Sequence, residues 1–129
     1  MDAESVRAFV LKLPHVVETV SKTVRWGDKL VFRIGAREVG GKMFSQIDFE
    51  EDDRAILSFA AGPERFQELI ERDGIIPAPY RARIYWIALM KWNAIPDSEL
   101  KELLRHARDL TFSKLPKKTR DSLTRSAKS

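Results

Sequence analysis

The stretch Gly74-Ile75-Ile76-Pro77-Ala78-Pro79-Tyr80-Arg81-Ala82-Arg83-Ile84-Tyr85-Trp86-Ile87-Ala88-Leu89-Met90-Lys91-Trp92 decides how the chain folds. Ile76 and Ala78 each precede a proline, which pushes both toward extended backbone. The segment through Pro79 therefore reads as an open connector. From Arg81 onward, Arg81, Arg83, Tyr85, Ile87, Leu89 and Lys91 share one parity, and Ile84, Trp86, Ala88 and Met90 share the other. Both parities are apolar in the middle. The segment reads as a central strand covered on both sides, or as a strand with helices on one face and an aromatic patch on the other. A buried helix over 82–91 is the alternative; the β-branched and aromatic content favours a strand.

Upstream, Gly62-Pro63-Glu64 opens a helix with proline and an acid in its first turn, and Phe66, Leu69 and Ile70 form its apolar stripe. Asp73-Gly74 closes it. Further back, Thr23–Trp26, Lys29–Ile34, Lys42–Phe49 and Arg54–Ala60 read as short strands punctuated by Gly27-Asp28, Gly35 and Gly40-Gly41. This pattern predicts an antiparallel meander with one wet face. The acid run Glu50-Glu51-Asp52-Asp53 lacks the alternating ligand spacing and central glycine of a calcium loop, and reads as a solvated hairpin tip. At the start, Asp2 caps a helix whose buried face carries Val6, Phe9, Val10 and Leu13. Pro14 ends that helix, and His15 falls in a connector. Downstream, Asp97 caps a helix with Leu100, Leu103, Leu104, Ala107 and Leu110 on one stripe and His106 off it. Pro116 is read as the end of order. The expected fold is α+β and two-layered: an antiparallel sheet of about five strands, helices packed on one face, order α-β-β-β-β-α-β-α. Residues 1–116 form one domain, and 117–129 form a basic flexible tail.

The 129 residues carry a net charge of +4. Its location matters more than its size. Residues 114–129 hold six basic residues and one acid, hence +5, which leaves 4 − 5 = −1 for residues 1–113. The body is electrically balanced, and the basic character lies at the C-terminus. With no cysteine, thiolate metal sites and cysteine nucleophiles are excluded. The start of the chain has no apolar signal-peptide region, and no run is long enough to span a membrane, so a cytoplasmic protein is expected. No cofactor and no metal are expected.

The chain resembles the MmcQ/YjbR family. The resemblance rests on Leu13-Pro14, Val31-Phe32-Arg33-Ile34-Gly35, Gly41-Lys42-Met43-Phe44, Gly74 to Tyr80 followed by Trp86, and Leu115-Pro116-Lys117-Lys118. It covers Met1 to about Arg120 in order. One departure is Ala36-Arg37-Glu38-Val39, which widens a link that is a very short turn in the family, so the hairpin register there is open. The resemblance implies a small two-layer α+β domain with a curved antiparallel sheet. It also implies a DNA-binding role proposed from likeness to a double-wing transcription-factor domain. It brings no catalytic residues.

Three function classes follow. In the first, duplex DNA is the partner: Arg33, Lys42, Arg81, Arg83 and Lys91 offer phosphate contacts from the sheet, Tyr85 or Trp86 contact sugar or base, and Lys117, Lys118 and Arg120 add basic contacts from the tail. In the second, the sheet face is an interaction surface for another protein or a second copy, and exposure of Tyr85, Ile87 and Leu89 is the feature that favours it. The third, catalysis, has little to work with. His15 and His106 lie far apart in sequence, and Gly40-Gly41-Lys42 lacks the earlier glycine and following hydroxyl of a phosphate loop.

Overall fold

The structure, a computed structural model, describes residues 1–23, 27–36, 40–48, 56–79 and 82–127. Helix α1 (Ala3–Val10) is followed by strands β1 (Val16–Thr23), β2 (Gly27–Ile34), β3 (Lys42–Asp48) and β4 (Leu57–Ala60). Helix α2 (Pro63–Ile70), strands β5 (Ile75–Pro77) and β6 (Trp86–Leu89), and helices α3 (Asp97–Ser113) and α4 (Lys117–Ala127) complete it. The six strands form one antiparallel sheet ordered β1-β2-β3-β4-β6-β5.

The pairing register explains the core. Leu30, Ile47, Leu57, Leu89 and Ile75 stand opposite one another in one row across five strands, all buried. Two residues along, on the same face, Phe32, Ser45, Phe59 and Ile87 form a second buried row. Period-two alternation turns these side chains to one side. Helix α3 lies across β2, β3 and β4, α2 packs on β5 and β6, and α1 packs on α3. Each helix buries part of the stripe its sequence announces: Val6 and Val10 from α1, Leu69 from α2, and Leu100, Leu103, Leu104 and Ala107 from α3. Phe9, Phe66 and Ile70 are half-buried against the core, and Leu13 lies past the end of α1 at Val10 instead of on its face. Asp2 caps α1 as expected, its carboxylate accepting from the Ser5 amide at 2.8 Å, and this bond holds the Asp2 carboxyl below its ordinary value.

Several expectations are corrected. Among the described residues the sheet has six strands rather than about five, and the order is α-β-β-β-β-α-β-β-α-α. The first strand begins at Val16, where the sequence suggested a connector. Val16, Val17 and Val20 do not alternate, because β1, which among the described residues pairs on one side only, has little to bury. Residues 75–77 are not an open connector; the geometry that the prolines impose is also strand geometry, and β6 takes it as an edge. The long strand from Arg81 to Lys91 shrinks to Trp86–Leu89, preceded by a 3-10 turn at Ala82–Ile84. Tyr85 joins the two with a left-handed backbone (φ 62°), its amide donating to the Ala82 carbonyl and its own carbonyl accepting from Ala61 and Gly62. That kink ends the parity read across 81–91. Strand β6 is buried on both faces, as read for the centre of that segment. The face expected to be wet is shielded at its centre, where Val31, Gln46, Ser58 and Ala88 form the reverse row and are all buried. The acid run 50–53, the segment 24–26 and most of the widened link 36–39 lie outside the described residues.

The segment expected to be a flexible tail is helical from Lys117 to Ala127. Pro116 ends α3 and also starts α4, its carbonyl accepting from the Arg120 amide at 3.0 Å. Buried Leu115 and Thr119, with Leu123 packed against the core, give α4 an inner face.

Two joints hold the layers. Arg72, just after α2, donates to both carboxylate oxygens of Glu99 on α3 at 2.8 and 2.9 Å and to Glu68 at 2.8 Å. The bond from Arg72 lowers the Glu99 carboxyl below its ordinary 4.5. Arg108 on α3 is nearly buried; it donates to the Pro14 carbonyl at 3.0 Å and lies 4.7 Å over the Phe112 ring.

Two predictions follow from these contacts. A Cβ on Gly41 would stand 2.0 Å from the Gly35 carbonyl oxygen and 2.4 Å from that of Ile34, all backbone that cannot swing aside. Gly41→Ala is therefore expected to cost about 4 kcal/mol or to prevent folding, read by urea denaturation; near-wild-type stability would refute it. The depressed carboxyl of Glu99 contributes stability that is present above its unfolded value of 4.5 and lost as pH falls through the lower folded value. Glu99→Gln is expected to lose about 1 kcal/mol at neutral pH, with the gap to wild type closing below about pH 4. A gap that stays constant on acidification would contradict this.

Candidate nucleic-acid interface

The eight basic residues singled out in the sequence separate into two groups. Arg33 ends on β2 with Nη1 3.4 Å from the Gly41 carbonyl, and Lys42 is the first residue of β3. Between those strands, Gly40 (φ 81°) sits so close to α4 that a Cβ there would meet the Thr119 hydroxyl at 3.0 Å. The Gly40-Gly41 turn therefore abuts the first turn of α4. It gathers Arg33, Lys42, Lys117, Lys118 and Arg120 at one end of the β2–β3 hairpin.

Within this group the side chains differ. Lys42, Lys117 and Lys118 are exposed and make no ion pair among the described residues. The Arg120 Nε is shielded from solvent with no hydrogen-bond partner among the described residues, so its stem lies along the body instead of reaching outward. Lys117, Lys118, Asp121, Ser122 and Arg125 lie together along one side of α4 and border an open surface depression. Sequence reasoning missed Ser122 and Arg125, although Lys117, Asp121 and Arg125 recur at the i, i+4, i+8 spacing of one helix face. Assigning no helix here hid that spacing.

The other group is dispersed. Lys91 donates to Asp73 at 3.0 Å, which offsets its charge, and its side chain passes beside Gly74, where a Cβ would meet Lys91 Cε at 2.8 Å. Arg83 is exposed in the 3-10 turn on the other flank of the sheet. Arg81 lies outside the described residues. Tyr85 is 42% exposed and edge-on to Phe66 at 5.7 Å, whereas Ile87 and Leu89 are fully buried. The apolar parity considered as a contact face is thus exposed at one residue only, beside Ile84. Trp86 is core.

The histidines are not brought together. His15 stacks on Phe112 at 6.1 Å, and His106 lies near Gly62, whose Cβ would come 3.9 Å from Nε2. Among the described residues no three His, Asp or Glu side chains are placed to hold a metal ion, and no helix is long and apolar enough to cross a membrane.

The model of the family described as YjbR matches residues 11–110 of the chain. The chain belongs to the YjbR family. Its fold is similar to the crystal structure of Deinococcus radiodurans protein DR2400, with a TM-score of 0.77 and 27% identity over 94% of this chain and 86% of that one. No curated protein matches the chain. The family match stops at residue 110, so the basic helix of this YjbR-family chain lies beyond the matched segment.

The packing of α4 generates a prediction. Leu123→Asp places a charge on its inner face and is expected to lower helical content and cost about 1–2 kcal/mol while leaving the sheet folded. Far-UV circular dichroism and thermal melting read it; an unchanged spectrum would mean that α4 does not depend on this contact.

Proposed function

We propose that this YjbR-family domain binds duplex DNA through its phosphates, using the basic cluster where the Gly40-Gly41 turn meets α4. The observation that carries the reading is the clustering of unmatched cations. On the body, Arg7 is matched by Glu18, Arg72 by Glu68 and Glu99, Lys91 by Asp73 and Arg108 by Asp109. The exposed Lys12, Arg83 and Lys101, which have no carboxylate partner among the described residues, lie scattered, just after α1, in the 3-10 turn and on α3. At the cluster, Lys42, Lys117 and Lys118 meet solvent without a carboxylate partner among the described residues. Unmatched exposed cations attract phosphate and release its condensed counterions. The helix dipole at Lys117 has the same sign and adds to the local potential. Asp121 tempers it, so the strength of the site rests on Lys117, Lys118 and Lys42 together. Contacts of this kind position a duplex and carry no sequence information by themselves.

Retarded migration of a short duplex at about 50 mM salt is expected, with log affinity falling linearly against log salt. The double variant Lys117→Gln/Lys118→Gln should weaken binding and reduce the salt slope by about two, one for each lost phosphate contact. Lys91→Gln, whose charge is already matched, should leave the slope unchanged. No retardation at about 50 mM salt, or equal effects from the two sets of substitutions, would sink the reading.

A further inference from the structure

The two edges of the sheet are built differently. Strand β5 is three residues long and ends in Pro77, which offers no amide to a neighbour. Strand β1 is eight residues long, contains no proline and, among the described residues, pairs only with β2. Val17 and Val20 on it are 37% and 58% exposed. A long unprotected edge with exposed valines is a template for strand pairing.

The backbone phase shows which residues are available. Val16 stands opposite Ile34, so His15 stands opposite Gly35, and the Gly35 amide donates to the His15 carbonyl at 2.9 Å. In an antiparallel ladder, hydrogen-bonded pairs alternate along the strand. Residues 17, 19, 21 and 23 therefore spend their amides and carbonyls on β2. Those of 18, 20 and 22 point to the open edge. Val16 fits this phase, because its amide turns away to the Leu13 carbonyl.

We infer that β1 is a homodimer interface, pairing antiparallel with β1 of a second copy about a two-fold axis at Val20. The sequence is self-complementary about that residue. Val20 meets Val20 of the second copy, Glu18 falls opposite Lys22 and Lys22 opposite Glu18, while Thr19 falls opposite Ser21. Positions 18, 20 and 22 are the ones with free backbone groups, so the charge-matched register is also the hydrogen-bonded one. A register shifted by one residue sets Glu18 against Ser21 and leaves the outward backbone groups out of phase. Glu18 already accepts from Arg7 through both oxygens. The product is a continuous sheet of two six-stranded halves.

The chain has no cysteine, so single introduced thiols report the register cleanly. Directly opposed hydrogen-bonded residues have Cα atoms about 5.5 Å apart, within disulfide reach. Under mild oxidation Val20→Cys is expected to form a linked dimer at least about tenfold faster than Thr19→Cys, whose equivalent in the second copy is offset. By sedimentation, the wild type should shift from 14.8 kDa toward twice that mass with concentration. Val20→Lys, which opposes two ammonium groups across the axis at an exposed position, should remain monomeric. Lys22→Glu, which opposes two carboxylates across the interface, should weaken the dimer. A monomer at every concentration up to about 1 mM, equal cross-linking of the two cysteine variants, or a dimer that survives Val20→Lys would overturn the inference.

Discussion

The close approach of residue 41 to the carbonyls of Ile34 and Gly35 is the constraint on which the sheet and the candidate site both depend. With no room for a Cβ there, the chain turns back tightly enough for the Gly41 amide to reach the Ala36 carbonyl at 3.0 Å. Strand β3 then enters beside β2 with a register shift between Phe32 and Arg33, so Phe32 faces Ser45 while Arg33 faces Met43. The extra residue is a bulge, which bends a strand and sharpens its twist. The bulge leaves Phe44 fully buried while Lys42, two residues earlier, is exposed. The same turn offers Gly40 to Thr119, which seats α4. One steric fact thus closes the hairpin, aligns the buried rows and presents the basic residues.

Charge follows the same division between body and appended helix. Ion pairs on the body join elements: Arg7 ties α1 to β1, and Arg72 ties α2 to α3. They are partly exposed, so each contributes modestly to stability, while the apolar rows supply most of the driving force. On α4 the net charge of Lys117 to Ala127 is 4 − 1 = +3, and nothing on the sheet opposite Lys42, Lys117 or Lys118 neutralises it among the described residues. Charge left unmatched on a seated helix raises the local potential toward a polyanion.

How much of this was legible in the sequence depended on how strongly each element had to bury something. The helices α1, α2 and α3 and the strand at β2 were readable because each turns a periodic apolar set to the core. The alternation read across β3 was not, because the bulge breaks its phase and residues 44–47 are all buried. Strand β1 was misread because an edge strand has no partner on one side and its valines need not alternate. Strand β5 was misread because proline signals extended backbone without saying whether a neighbour will pair with it. The break at Tyr85 was hidden because a tyrosine with positive φ carries no sequence mark; the turn is fixed by the Ala61 and Gly62 amides that its carbonyl accepts. Helix α4 was taken for a tail because Leu123 is the one large apolar side chain on its inner face among the described residues, too little for an apolar periodicity to emerge. Of the candidate residues, Arg33, Lys42, Lys117, Lys118 and Arg120 converge for a reason that sequence spacing does not contain, the contact between Gly40 and Thr119 across 79 positions.

The edge and the basic cluster are geometrically related. A two-fold axis at Val20 stands perpendicular to the joined sheet, so it carries the cluster of one copy to the same side on the other. Lys42 lies in the row of Ile34 and Val16, four residues from Val20, or about 14 Å along the strand at about 3.4 Å per residue. The two β3 strands would be five strand spacings apart, about 24 Å. Combining about 27 Å along the strands with about 24 Å across them places the two clusters about 36 Å apart before twist. That is about one turn of a B-form duplex, the spacing at which two-fold proteins meet successive grooves on one side of the helix. Dimerisation through β1 would then double the number of phosphate contacts without adding a residue to either site. It would also convert the second contact into an intramolecular event whose strength depends on this spacing.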